Sequence, residues 1–217
     1  MSETKMINHH LTEPLLMAYS AGTLPEAFNL VVATHIAMCD ECRAAAAGYD
    51  SVGGALLDEG TEAMGSDALS ATLAMIEDMP VEHQIRATRP RTDIPGPLHD
   101  YIGGGLAAVK WKRVGGGVRQ AILPTSKEAS ARLLYIPAGA AVPDHGHRGT
   151  ELTLVLQGAF RDEEDRFAPG DIEVATEDLT HTPVAEPGQD CICLAATDAP
   201  LRFTGLLPRL AQPFFRI

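Results

Sequence analysis

The sequence contains no run of about 18 apolar residues, so no membrane-crossing helix is expected. Its first residues, Met-Ser-Glu-Thr-Lys, lack the apolar stretch of a secretory leader, and a cytoplasmic location is expected. Aromatic residues are few, at 5% of 217 positions. Apolar content, at 45%, is ordinary, so a packed core is possible, though not a continuous one if the chain splits into two modest domains. Cysteine is limited to two close pairs, Cys39/Cys42 and Cys191/Cys193, a pattern that in an intracellular chain favours metal or redox roles over structural disulfides. Methionine is absent beyond Met79: all seven lie in the first 79 residues. Positive charge is nearly missing from residues 1–85, which carry 13 acidic and 2 basic side chains, whereas residues 98–217 are close to balanced. Such an acidic module repels nucleic acid and suits a basic protein surface, so direct nucleic-acid binding is not expected.

What is present centres on His35-Ile-Ala-Met-Cys39-Asp-Glu-Cys42. Read as one helix, positions i, i+4 and i+7 place an imidazole and two thiols on a single stripe. These are the preferred donors for tetrahedral Zn²⁺, and a structural site needs a fourth. His9 and His10 lie upstream and either supplies it. The competing reading is two small cysteines on an apolar helix beside a surface histidine.

Helices are expected over Thr12–Ala21, with Thr12 as cap and Gly22 as stop, and from Pro25–Glu26 through the His35–Cys42 stripe to Ala47, stopping at Gly48. Residues 50–64 read as another short helix or a mobile segment, and Ser66–Met79 as a further helix with Leu69, Leu73 and Ile76 on one face. The methionines suit either a small helical core or an adaptable binding surface. Residues 86–97 hold three Pro and one Gly in twelve positions, a linker composition. Beyond them, short β-rich runs such as Ala131–Ile136, Leu152–Leu156 and Cys191–Ala195 alternate with Gly, Pro and Asp turns, as in a small barrel or sandwich. The expected organisation is therefore a helical domain over 1–85, a linker over 86–97 and a β domain over 98–217.

Within the β region His145-Gly-His147 places two imidazoles on one side of a strand, with Glu151 following and His181 arriving after the Pro169-Gly170-Asp171 turn. Three histidines and a carboxylate inside a barrel suit Zn²⁺, Fe²⁺, Mn²⁺ or Ni²⁺. The spacing Gly139-x5-His145-x-His147-x3-Glu151-x6-Gly158 resembles the first cupin motif, and Pro169-Gly170-Asp171 with His181 resembles the second, with a longer gap and no Asn at the usual place. The resemblance implies a cupin β-barrel with His145, His147, Glu151 and His181 as ligands to Zn²⁺ or another divalent transition metal. Cys191 and Cys193 share a strand face, where they serve either as a redox relay near that metal or as small buried hydrophobes.

An N-terminal His, then His-x3-Cys-x2-Cys, then a cupin, together with the segment Leu11–Ala27, resembles the ChrR-type zinc-binding anti-sigma factors over nearly the whole chain. The resemblance implies Zn²⁺ at His10, His35, Cys39 and Cys42, His10 lying 25 residues before His35. It implies a small helical zinc-binding bundle that binds and inhibits an extracytoplasmic-function sigma factor, and a cupin that senses oxidative stress of the singlet-oxygen kind. Two rivals stand beside it: a cupin dioxygenase or isomerase with an accessory zinc module, and a redox sensor switched by the Cys39/Cys42 thiols. A His₃Glu set fits either a regulator or an enzyme, since fold does not fix function.

Overall fold

A computed structural model describes residues 6–60, 62–79, 94–203 and 205. Most of the expected linker, residues 86–93, lies outside the described residues; at its end Ile94 is buried and a helix begins at Gly96.

Among the described residues there are five α-helices: α1 Glu13–Ser20, α2 Glu26–Ile36, α3 Asp40–Glu59, α4 Ala68–Asp78 and α5 Gly96–Ile102. Pro14 opens α1, where a missing N–H costs nothing, but Thr12 makes no side-chain cap bond. The stretch expected as one helix is broken. Helix α2 ends at Ile36, and α3 starts afresh at Asp40 with Cys39 in an extended conformation as its N-cap. The Cys39 sulfur accepts from the Cys42 backbone N–H at 3.5 Å, replacing the Ser or Asp oxygen usual at a cap. Asp40 and Glu41 in the first turn then suit the positive end of the helix. Gly48 does not stop α3, which continues through the residues read as a separate segment.

Among the described residues the β half has twelve strands: β1 Lys112–Gly115, β2 Val118–Ile122, β3 Ser130–Ile136, β4 His145–Gly146, β5 Glu151–Gln157, β6 Phe160–Arg161, β7 Arg166–Phe167, β8 Ile172–Ala175, β9 Thr180–His181, β10 Val184–Ala185, β11 Cys191–Thr197 and β12 Arg202–Phe203. The large antiparallel sheet runs β1-β2-β3-β11-β5-β8, and two small sheets, β10-β6-β7 and β12-β4-β9, complete the barrel. Gly158 turns β5 back with φ near 69°, and a Cβ there would stand 2.5 Å from the Asp190 carbonyl oxygen, so only glycine fits.

The central strands are apolar on both faces, and each face has a different use. Leu133, Leu152, Leu154, Ile172, Leu194 and Ala196 point outward and join Leu16, Phe28, Leu30, Val31 and Val32 in one cluster. Helix α2 thus packs on the outside of the sheet, against β3, β5 and β11. Ile136, Val155, Phe160, Cys191 and Cys193 point inward and form the second cluster, inside the barrel. The core is therefore continuous across the two halves, contrary to what a split chain suggests. Glu26 adds a polar tie: its carboxylate accepts from the Ser126 N–H at 2.7 Å and the Tyr101 hydroxyl at 2.8 Å.

Helix α4 is the exception. None of its residues is buried, and Leu69, Leu73, Met75 and Ile76 are each at least half exposed. Val52, Leu56 and Leu57 on the far half of α3 are equally bare, as are Met6, Met17, Met64 and Met79. Of the six methionines described, only Met38 packs against the core.

Candidate metal centres

The helix break assembles the first centre. His35 sits in the last turn of α2, Cys39 caps α3 and Cys42 lies in its first turn, while His10 arrives on the extended segment before α1. His10 Nδ1 stands 3.3 Å from Cys39 Sγ and 3.6 Å from Cys42 Sγ, and all four ligand atoms lie within 4.8 Å of one another. A tetrahedral zinc with bonds of about 2.0 Å to nitrogen and 2.3 Å to sulfur spaces its ligands about 3.3–3.8 Å apart, so the set fits. His35 is fully buried and neither ring nitrogen has a hydrogen-bond partner. Burial pulls its pKa down to about 4, so the imidazole is neutral and able to donate a lone pair. Burial likewise pushes the Cys42 thiol up to about 11, the cost a bound cation would remove. His9 turns the other way, its Nε2 3.0 Å from Asp165 and its Nδ1 3.6 Å from Asp171.

The second centre lies inside the barrel. His145 and His147 leave β4, His181 ends β9, and the two strands pair with His145 opposite His181. Their ligand atoms lie within 4.8 Å of one another, with His147 Nε2 and His181 Nε2 3.4 Å apart. Outer groups aim the rings. His145 Nδ1 meets the Pro143 carbonyl at 2.8 Å, and His181 Nδ1 meets Asp162 Oδ2 at 3.0 Å with Glu173 Oε1 at 3.1 Å. In each case Nε2 is left for a metal. Glu151 is not drawn into the three-histidine group; its Oε2 is 4.0 Å from His147 Nδ1, and Thr153 donates to its Oε1 at 3.1 Å. Burial and Glu173 raise Glu151 to about 7, a carboxylate short of positive charge.

Burial holds His145 and His147 down at about 4. His181 differs: burial works to lower it, yet Glu173 and Asp162 carry it up to about 9. Asp162 stays near 2, since bonds from the Asp165 backbone and His181 outweigh its burial. Asp162, Glu173 and His181 form a second, overlapping group of ligand-type atoms. The sequence reading missed both carboxylates. The signal for Glu173 was a lone acidic residue in the apolar strand Ile-Glu-Val-Ala, directed inward by the period of two.

The centre opens on a cavity of about 510 Å³ lined by Val118, Leu134, Ile136, Phe160 and Phe203, with His145, His181 and Glu151 at its wall. Cys193 also lines it. Its sulfur lies 3.5 Å from that of Cys191, both are buried, and the neighbouring thiol with burial pushes the Cys193 pKa well up. Neither thiol has the exposure of a reactive cysteine.

The chain has similar relatives among known proteins. The anti-sigma-E factor ChrR of Cereibacter sphaeroides is 61% identical over 212 residues, spanning 97% of this chain and 99% of that protein. The chain belongs to the ChrR family. The family's model, described as the ChrR cupin-like domain, matches residues 102–200. The crystal structure of Rhodobacter sphaeroides SigE in complex with the anti-sigma ChrR contains a chain 58% identical to this one. It covers 89% of this chain and 100% of that one, with a TM-score of 0.78. KdgF from Halomonas sp., 25% identical over 43% of this chain and 90% of its own, has a TM-score of 0.39. Among the described residues of this ChrR-family chain, no helix is long and apolar enough to cross a membrane.

Proposed function

We propose that this chain is a cytoplasmic anti-sigma factor that binds and inhibits an extracytoplasmic-function sigma factor and is not an enzyme. The observation that carries the reading is the near full-length similarity to a ChrR chain solved in complex with SigE. The molecule supports it with a surface: Leu56, Leu57, Leu69, Leu73 and Ile76 form bare apolar ground on α3 and α4, in an acidic half suited to a basic partner. A binding module accounts for that ground, and an accessory module on an enzyme does not.

The helical domain 1–85 makes the inhibitory contact, the cupin domain 98–217 senses an oxidative signal, and residues 86–97 connect them. Zn²⁺ is held by His10, His35, Cys39 and Cys42, where a closed set of four donors staples α2, α3 and the N-terminal segment together. His145, His147, His181 and Glu151 would hold Zn²⁺ or another divalent transition metal. A metal there would supply Lewis-acidic chemistry beside the cavity. His145 and His181 are oriented for it by Pro143, Asp162 and Glu173.

The test adds purified full-length protein to sigma-dependent transcription. Inhibition is expected at one chain per sigma factor, and Leu73→Asp is expected to weaken binding about tenfold or more. Because Leu73 is half exposed, thermal stability should move by no more than about 0.5 kcal/mol. Transcription that is indifferent to the wild-type protein would sink the reading.

A further inference from the structure

The segment that brings His10 to the first centre has no secondary structure of its own, and the cupin half holds it in place. The Asn8 and His9 backbone N–H groups donate to Asp171 Oδ1 at 2.6 and 3.0 Å. The Ile172 N–H donates to the His9 carbonyl at 3.3 Å. Asp171, only 1% exposed, also receives the Ala168 N–H on Oδ2 at 2.8 Å. Gly170 completes the fit: a Cβ there would lie 2.6 Å from the Ile7 side chain. The ring of His9 rests on Phe167, with centroids 4.4 Å apart. The next residue is His10, 3.3 Å from the Cys39 sulfur.

The same short stretch reaches the other centre. Two residues beyond Asp171, strand β8 turns Glu173 inward, where Oε1 lies 3.1 Å from His181 Nδ1. Ile172 between them faces outward, into the cluster shared with α2. This stretch therefore touches a proposed ligand of the cupin centre, His181, with Glu173, and the carrier of a helical-centre ligand with Asp171 and Ile172.

We infer that Asp171 is a positioning residue for the helical metal centre, fixing His10 from across the domain boundary, and that β8 joins the two centres through Glu173 and Asp171. The inference rests on the reading that both clusters bind metal. Its physical content is simple. A ligand on an unstructured segment stays at the metal only as long as its backbone is held. The bonds that hold His10's neighbours belong to the cupin half. A shift of β8, following a change at His181, would loosen His10 without any contact between the signal and the helices. A coupling of this kind needs two arrangements of one element that both sites bias, and β8 is placed to be that element.

The test uses full-length protein loaded with Co²⁺. Only the Cys39/Cys42 centre supplies thiolate ligands, so thiolate-to-cobalt absorption reports that centre alone. Its decay on adding a chelator is followed. Asp171→Ala is expected to accelerate the decay at least about tenfold, the usual scale for an outer group of a metal site. Asp171→Asn keeps one acceptor oxygen for the Asn8 and His9 N–H groups and should recover most of the wild-type rate. Glu26→Ala removes a carboxylate tie between the same two halves at the far end of α2, and should decay as wild type does. His181→Ala should accelerate the decay in the wild-type background and add nothing in Asp171→Ala. Equal decay rates in Asp171→Ala and Glu26→Ala would remove the positioning role. A wild-type rate in His181→Ala would remove the link through β8. If the wild-type protein shows no thiolate-to-cobalt band, the metal reading itself fails, an outcome distinct from either.

Discussion

The two centres are built from similar residues and differ in what surrounds them. The helical centre gathers two thiols and two imidazoles from a segment, a helix end, a cap and a first turn. Its four donors are the number a closed tetrahedral site needs. The cupin centre gathers three imidazoles from paired strands, backs two of them with fixed acceptors, and faces about 510 Å³ of apolar space. In the first, an ion would supply structure that short helices lack. In the second, the barrel already stands and supplies a prepared place for an ion and a small molecule. Closed sulfur-rich sites hold a fold together, and open nitrogen and oxygen sites do chemistry.

The largest way to break that contrast is Cys39→Ser. Metal binding to a set of this kind contributes on the order of 10 kcal/mol to folding, so the variant should lose the helical metal and much of the order in residues 6–59. Because α2 covers the outer face of the sheet, the barrel should also melt at a lower temperature while keeping its own metal. Metal analysis with thermal melts checks this; a variant retaining two metals per chain and full helicity contradicts it. Asp162→Asn sharpens the contrast from the other side. It weakens the hydrogen bond that aims His181, and the cupin metal should bind about 10–100-fold more weakly, with the fold intact. Metal-buffered titration reads the change, and unaltered affinity would mean that Glu173 alone orients the ring.

The smallest effect is on pH dependence in metal-free protein. His35, His145 and His147 are held at about 4 when folded and return to about 6.5 when unfolded. The unfolded chain takes up their protons first, so their contribution is present above pH 6.5 and is lost as pH falls towards 4. His181, raised to about 9, contributes fully below pH 6.5 and fades as pH rises through 9. Melting temperature should therefore peak near pH 6.5 and decline on both sides, and Asp162→Asn should flatten only the alkaline limb. A melting temperature that keeps rising from pH 6.5 to 9 would contradict the ion pairing at His181.

Much of this was legible in the sequence. The Gly139–Gly158 motif and the His-x3-Cys-x2-Cys spacing are local patterns, and both clusters assemble where those patterns lie. The helix break was not legible, because Ala37-Met38-Cys39-Asp40 contains neither Gly nor Pro and its cap is a sulfur. The choice between His9 and His10 was open on residue type, since it depends on Asp165 and Asp171, more than 150 positions away. Asp171 read as a turn residue; its bonds to Asn8 and His9 are tertiary and leave no trace in spacing. The shared core was written in runs such as Leu-Thr-Leu-Val-Leu, whose outward leucines need a cover that no alternation announces.

Those two-faced strands carry a folding hazard. A strand apolar on one face and polar on the other rejects a one-residue slip, because the slip turns every apolar group to water. Strands β5 and β11 have no such protection, since either face would be buried in either register. What distinguishes the registers is the polar cargo. Slipped by one, β5 would drive Glu151 and Thr153 outward into the leucine-rich ground beneath α2, and the corresponding slip of β8 would do the same to Glu173. An unpartnered carboxylate in that setting costs several kcal/mol. The acidic groups around the cupin centre therefore also proofread the pairing of the sheet, and do so before any metal has arrived.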